Sequence, residues 1–162
     1  MKIDPISLIL DGNIDPEKKF FFITGNEITL IEKIKDILIK DSKDKNSVKI
    51  ERIKNIDSKT NDNELFENSK LFIVDELGKI DKEKIDKISL NENMYLFSFE
   101  NSPKVKTAKN IFLKRDDSYV VECYELTKEV KTRLLNWWLK KTDIKLENNL
   151  YWILVDSLDN RF

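Results

Sequence analysis

The sequence contains no histidine and a single cysteine, Cys123, in 162 residues. Without histidine, the chain cannot build a Ser-His-Asp or Cys-His catalytic arrangement, a histidine-ligated metal site or a histidine general base. A single cysteine also excludes a disulfide framework and a cysteine-cluster zinc site. We therefore expect no catalytic residue, no metal and no cofactor in this chain.

Glycine is also scarce, with only Gly12, Gly25 and Gly78 in the whole sequence. A phosphate-binding P-loop needs the pattern G-x-x-x-x-G-K-[ST], in which backbone N–H groups wrap the phosphates, and a dinucleotide site needs G-x-G-x-x-G. Neither pattern occurs. The scarcity of glycine therefore argues against a nucleotide held in the usual way.

The chain lacks an excess of either charge and has no long apolar run. It carries 29 basic and 30 acidic residues, so its net charge is −1, which does not favour a strongly basic nucleic-acid binder. No run of 18 apolar residues predicts a membrane span, and the first ten residues do not resemble a secretory signal. We expect a cytoplasmic protein that does not enter a membrane.

Short apolar runs alternate with segments of helical period, and hydrophobic residues at 40% suffice for a core. Five such alternations predict an α/β fold with a mostly parallel five-stranded sheet and helices on both faces. After Leu126 the pattern is helical only, which predicts a boundary between 1–126 and 127–162. The predicted strands are 20–24, 48–53, 71–75, 94–99 and 119–123; the predicted helices are 27–40 (before a charged loop at 41–46), a short helix from 61, 81–88, 104–114, 127–141 and 147–158.

The first predicted strand runs into a turn where a P-loop would lie. This turn, Thr24 to Thr29, has one glycine and no lysine. Glu27 would place a negative charge where a phosphate would bind, which suits a helix N-terminus but opposes an anion. Asp75 and Glu76 end the third strand, where a magnesium-binding acid could stand. Without a phosphate loop, we interpret them as strand-end or helix-cap carboxylates.

Several segments resemble the delta subunit of bacterial DNA polymerase III, an AAA+-like clamp-loader subunit without a working P-loop. The segment 20–40 is similar to its first strand, turn and helix, where a single glycine precedes polar residues and then Leu-Ile-Glu. Order and spacing carry the resemblance, which covers most of 20–158. The other matching segments are Leu65-Phe66 before the strand 69–74, the strand 96–99 before the lysine-rich helix 104–114, and 121–127 leading into the helix 131–141.

The resemblance implies a function in replication. The region 1–126 would be an AAA+-like domain without a functional P-loop, and 127–162 would be part of the helical lid domain, with the family's collar domain absent. The implied partners are the sliding clamp, other clamp-loader subunits and, through the complex, primer-template DNA. The chain would need no cofactor and would be no enzyme by its own residues, although the assembly it serves is a polymerase.

Leu65 and Phe66 are the candidate clamp-binding residues. They are the only apolar residues on a short segment of polar neighbours, whereas a buried helix repeats its apolar residues every three or four positions. The residues alone are compatible with a core pair or with an exposed plug for a partner's pocket. In the delta family the matching pair enters a pocket of the clamp, so the resemblance favours the plug.

Basic residues provide weaker candidates. Lys104, Lys106 and Lys109 could contact DNA phosphate or a neighbouring subunit, although a solvated face is the preferred interpretation in so lysine-rich a chain. Trp137 and Trp138 lie among basic residues and could stack on nucleic acid, but packing within the helical region is favoured. Cys123 is interpreted as a small apolar filler.

Two other functions remain open from the residues alone. One is a degenerate nucleotide-binding α/β phosphotransferase that uses Asp75 with an unorthodox phosphate loop. The other is an α/β interaction module unrelated to replication. Nucleotide binding would distinguish the first, and binding of neither clamp nor nucleotide would indicate the second.

Overall fold

The computed structural model describes residues 1–12, 14–15, 17–46, 48–59 and 69–162, without the side chains of 45, 46 and 59. Leu65 and Phe66 lie outside these residues, as does the short helix predicted from 61. The strands are β1 (Lys2–Ile3), β2 (Phe20–Gly25), β3 (Lys49–Ile53), β4 (Lys70–Val74), β5 (Met94–Glu100) and β6 (Ser118–Cys123). The helices are α1 (Pro5–Asp11), α2 (Ile28–Asn46), α3 (Lys82–Ser89), α4 (Pro103–Leu113), α5 (Lys128–Thr142) and α6 (Asn148–Ser157), with a 3-10 turn at Ile56–Lys59.

All strand pairs of the described sheet are parallel, and the order is β1-β6-β2-β5-β4-β3. The predicted parallel α/β architecture is thus confirmed. The predicted count of five strands was wrong, because β1 adds a sixth strand beside β6. The order differs from both the Rossmann order 3-2-1-4-5-6 and the flavodoxin order 2-1-3-4-5.

Helix α2 is longer than predicted. It continues to Asn46, whereas a charged loop was expected over 41–46. Ser42 is buried, with its hydroxyl donating to the Leu38 carbonyl at 2.8 Å, so the helix remains packed against the protein beyond Lys40. The helix therefore continues beyond the last residue of its apolar repeat.

Alternating side chains of the strands serve two separate cores. Phe21 and Ile23 face one core with α1 and α2, whereas Phe20 and Phe22 face the other with α3 and α4. On the second face, the Phe112 ring of α4 lies 4.9 Å from Phe22, 5.1 Å from Phe97 and 5.7 Å from Phe20, centroid to centroid. Buried on both faces, the central strands show the continuous apolar runs expected of a parallel sheet.

Helices α5 and α6 follow the last strand; Val130 and Leu134 of α5 pack against the core that contains α1 and α2, and two polar bonds add to this contact. Arg133 of α5 pairs with Asp4, the N-cap of α1, at 3.1 Å. Lys131 is buried and donates to the Leu158 carbonyl at 2.7 Å. These bonds tie α5 to the N-terminal helix and to the segment that follows α6.

Candidate functional site

The turn after β2 occupies the position where open parallel sheets bind ligands. β2 lies between β5 and β6, and its carboxyl end leads through Asn26 and Glu27 into α2. From β2 the chain first moves toward the β3 edge and later places β6 on the opposite side, so the strand order reverses here. Ligand sites of such sheets lie outside the carboxyl ends of the strands at this reversal.

The backbone of this turn is closed against β6. The amides of Asn26 and Glu27 both donate to the Cys123 carbonyl, at 3.1 and 3.2 Å. Gly25 permits this approach, because a Cβ built there would lie 1.7 Å from the same carbonyl oxygen. A phosphate cradle requires turn amides that point at the ligand. In this turn these two donors serve a protein acceptor instead.

Glu27 fills the N-terminus of α2. Its side chain is buried, and its carboxylate accepts hydrogen bonds from the Thr29 amide, at 3.1 Å, and from the Thr29 hydroxyl. The Glu27 carbonyl accepts from the Ile31 amide at 3.0 Å. A carboxylate here stabilises the helix and repels another anion. The negative charge expected from the sequence is therefore built into the helix start.

Cys123 is inert in this environment. The side chain is fully buried on β6. Burial, and after it the negative charge of Glu27, raises the pKa of the Cys123 thiol to about 12. Since the thiolate is the reactive form, this cysteine is unsuited to nucleophilic chemistry.

The carboxyl end of β2 is also fixed to β5. The Asn101 amide donates to the Gly25 carbonyl at 2.9 Å, and the buried Thr24 hydroxyl donates to the Asn101 side-chain oxygen at 3.0 Å. Both neighbours of β2 thus hold the turn in place.

Asp75 and Glu76 form pairs at the β3 side of the sheet. The Asp75 carboxylate lies 3.4 Å from the Arg52 guanidinium, and the Glu76 carboxylate lies 3.7 Å from the Lys54 ammonium. β5 separates their strand from β2. Among the described residues, no group of three or more metal-ligating side chains is arranged to hold a metal ion.

The candidate lysines of α4 have different surroundings. Lys104 and Lys106 are exposed near the start of the helix. Lys109 is largely covered and its ammonium forms an ion pair with Glu122 on β6. The structure therefore presents Lys104 and Lys106 to solvent and engages Lys109 within the fold.

Glu122 is the centre of a polar cluster that the sequence analysis missed. It pairs with Lys109 and Lys2 and accepts a hydrogen bond from the Tyr124 hydroxyl at 3.3 Å. Burial raises the pKa of Glu122, but the hydrogen bonds and charges of Lys109 and Lys2 outweigh it and leave the pKa below its usual value. No sequence signal marked this cluster, because its members come from three separate segments.

The aromatic residues of α5 combine packing with exposure. Trp137 is half-buried with the Lys141 ammonium 5.0 Å from its ring centroid, and Trp138 is exposed. This matches the arrangement expected for a helix packed on one side.

No helix in the described part of the chain is long and apolar enough to span a membrane.

No protein-family model matches the sequence, and no curated protein matches it.

Proposed function

We propose that the chain is a nucleotide-free, delta-type clamp-loader subunit that acts by binding the sliding clamp in the cytoplasm. The observation that supports this role best is the closed turn after β2. Its amides donate to the Cys123 carbonyl, and the Glu27 carboxylate occupies the helix start. A parallel α/β fold in which these turn amides are not free to bind phosphate suits a protein that acts by binding a protein partner, rather than an ATPase.

The proposed contact is the pair Leu65-Phe66, which the sequence resemblance assigns to the clamp. An apolar anchor that fills a partner's pocket contributes about 2 kcal/mol or more to binding. By binding an open or strained clamp interface better than a closed one, the pair would shift the ring toward opening. ATP would act on partner subunits, which expose or hide this contact.

Primer-template DNA would be reached through the assembled loader. Lys104 and Lys106 are exposed on α4 and could approach phosphate or a neighbouring subunit. Their contribution would be electrostatic and would weaken as salt concentration rises. No catalytic step is assigned to this chain.

Calorimetric titration of the full chain against the sliding clamp of its source organism tests the proposal. We expect the parent to bind and the variant Leu65→Ala/Phe66→Ala to lose at least tenfold in affinity. Leu90→Ala/Leu113→Ala is the matched control, since both leucines are exposed and lie elsewhere. Circular dichroism establishes that each variant is folded. A folded parent that does not bind the clamp contradicts the proposal.

Titration with magnesium-ATP tests the alternative function, a nucleotide-binding phosphotransferase. We expect no binding heat, because the turn amides and the α2 N-terminus are already occupied. Saturable ATP binding would support the enzyme instead. Binding of neither clamp nor nucleotide would indicate an interaction module outside replication.

A further inference from the structure

Two cavities line one side of α4, facing the segment that joins β4 to α3 and the start of α3. One has a volume of about 410 Å³ and lies beside Lys104 and Ala108, and the other has about 380 Å³ and lies beside Ile111 and Lys114. These residues lie on successive turns of one helical stripe, since they are spaced by three or four positions. We call this feature the α4 groove.

The rim of the α4 groove is basic. The described residues that line it include five cations and no carboxylate. Arg115 is engaged by Asp86 and by Asp117, the latter at 2.8 Å. The other four are exposed, and within the described chain none of their ammonium groups forms an ion pair: Lys79, Lys82, Lys104 and Lys114.

Of the carboxylates near the groove in sequence, Glu83 and Asp116 are exposed, and the others have partners of their own. Asp81 caps α3 by accepting from the Lys84 amide at 2.9 Å. Asp75 and Glu76 face Arg52 and Lys54. The four lysines thus give the lining of the groove an excess of positive charge, on a chain whose net charge is −1.

The floor of the groove is aliphatic. Leu77, Ile80 and Ile111 are partly buried against the core on this face, and Ala108 is fully buried. No aromatic ring is among the described lining residues. Single-stranded nucleic acid binds mainly by stacking its bases on aromatic side chains, so this floor is better suited to aliphatic side chains.

We propose that the α4 groove binds an acidic amphipathic segment of a partner protein. Aliphatic side chains of that segment would lie on the floor, and its Asp and Glu residues would pair with the lysine rim. The 11 residues of α4 extend over about 16 Å, which matches three turns of a helical ligand. This proposal does not rest on clamp binding by Leu65-Phe66.

Fluorescence anisotropy with a defined peptide tests the groove. The probe is a fluorescein-labelled peptide of about twelve residues, with Leu at every third or fourth position and Glu elsewhere. Two comparison peptides replace either all Glu by Gln or all Leu by Ser. A labelled oligothymidylate of similar length tests nucleic acid. We expect the acidic Leu-containing peptide to bind most tightly, and we expect its affinity to fall as the salt concentration rises.

Charge reversal locates the binding surface on the full chain. We expect Lys79→Glu/Lys104→Glu to lower the affinity for the acidic peptide at least tenfold. The matched control is Lys33→Glu/Lys40→Glu, which makes the same charge change at exposed positions of α2, the helix that packs on the other face. The control should stay within twofold of the parent, and circular dichroism verifies that both variants are folded.

Several results would overturn the proposal. These are the absence of peptide binding by the folded parent, equal binding of the Gln peptide, and equal loss in the two charge-reversed variants. Tighter binding of the oligothymidylate than of the acidic peptide would assign the surface to nucleic acid instead.

Discussion

Replacing Gly25 by alanine tests the closed turn most directly. A Cβ at this position would lie 1.7 Å from the Cys123 oxygen and 2.5 Å from the Cys123 carbonyl carbon, so backbone must move. The same oxygen accepts two turn amides, which the displacement would disturb. The substitution therefore perturbs both the β2–β6 pairing and the start of α2.

The expected loss can be estimated from these contacts. Overpacking a rigid site costs about 1–3 kcal/mol, and each weakened backbone hydrogen bond costs about 1 kcal/mol. Gly25→Ala should therefore lower the free energy of unfolding by about 3–5 kcal/mol. With a urea dependence of about 2 kcal/mol per molar, the midpoint should fall by roughly 2 M.

Two other glycines provide controls for this measurement. At Gly78 the nearest atom to an added Cβ is 3.5 Å away, an ordinary contact, so Gly78→Ala should leave stability unchanged or raise it by about 0.5 kcal/mol. Gly12 has φ +64° with open space around it, so Gly12→Ala should cost about 1–2 kcal/mol. Urea unfolding, monitored by circular dichroism, gives the free energy of unfolding of the three variants and so ranks them. A Gly25→Ala variant within about 1 kcal/mol of Gly78→Ala would refute the steric argument.

Two further predictions concern titratable groups. Ion pairs with Lys109 and Lys2 hold the pKa of Glu122 below its usual value of 4.5 in the folded state, so the stability they contribute is present above pH 4.5 and is lost as pH falls through the lower folded value. The difference in unfolding free energy between the parent and Glu122→Gln should therefore become smaller below pH 4.5. A difference that becomes larger toward acid would contradict this assignment. Because burial raises the Cys123 pKa to about 12, iodoacetamide at pH 8 should label the chain only after urea unfolding, and rapid labelling of the native protein would show that the thiol is accessible.

The central strands could be predicted from sequence because parallel strands are buried on both faces. Runs such as Phe20–Ile23 and Leu71–Val74 are continuously apolar, and the structure has strands at both places. β1 could not be predicted, since Lys2–Ile3 is too short to show a period. Helix α1 has a local signal in the sequence, since Asp4 is a typical N-cap and Pro5 a typical first helical residue.

The site was predictable only where its chemistry is local. Glu27 at the start of a helix follows from the adjacent sequence, and the structure has its carboxylate there. The Cys123 carbonyl could not be anticipated, because it meets the turn only through the pairing of β2 with β6. Lys109 and Glu122 show the same limit, since their ion pair joins a helix to a strand.

The central position of β2 has a consequence for synthesis on the ribosome. Phe20 pairs with Tyr95 and Ser118, which follow it by 75 and 98 residues (20 to 95 and 20 to 118). At roughly 5–20 residues per second, the nascent chain carries Phe20–Ile23 without either neighbour for about 4–15 seconds. Such an apolar segment with three consecutive phenylalanines is a site for aggregation or chaperone capture during that interval. The yield of soluble protein should therefore depend on translation rate and growth temperature more than the final stability of the sheet would suggest.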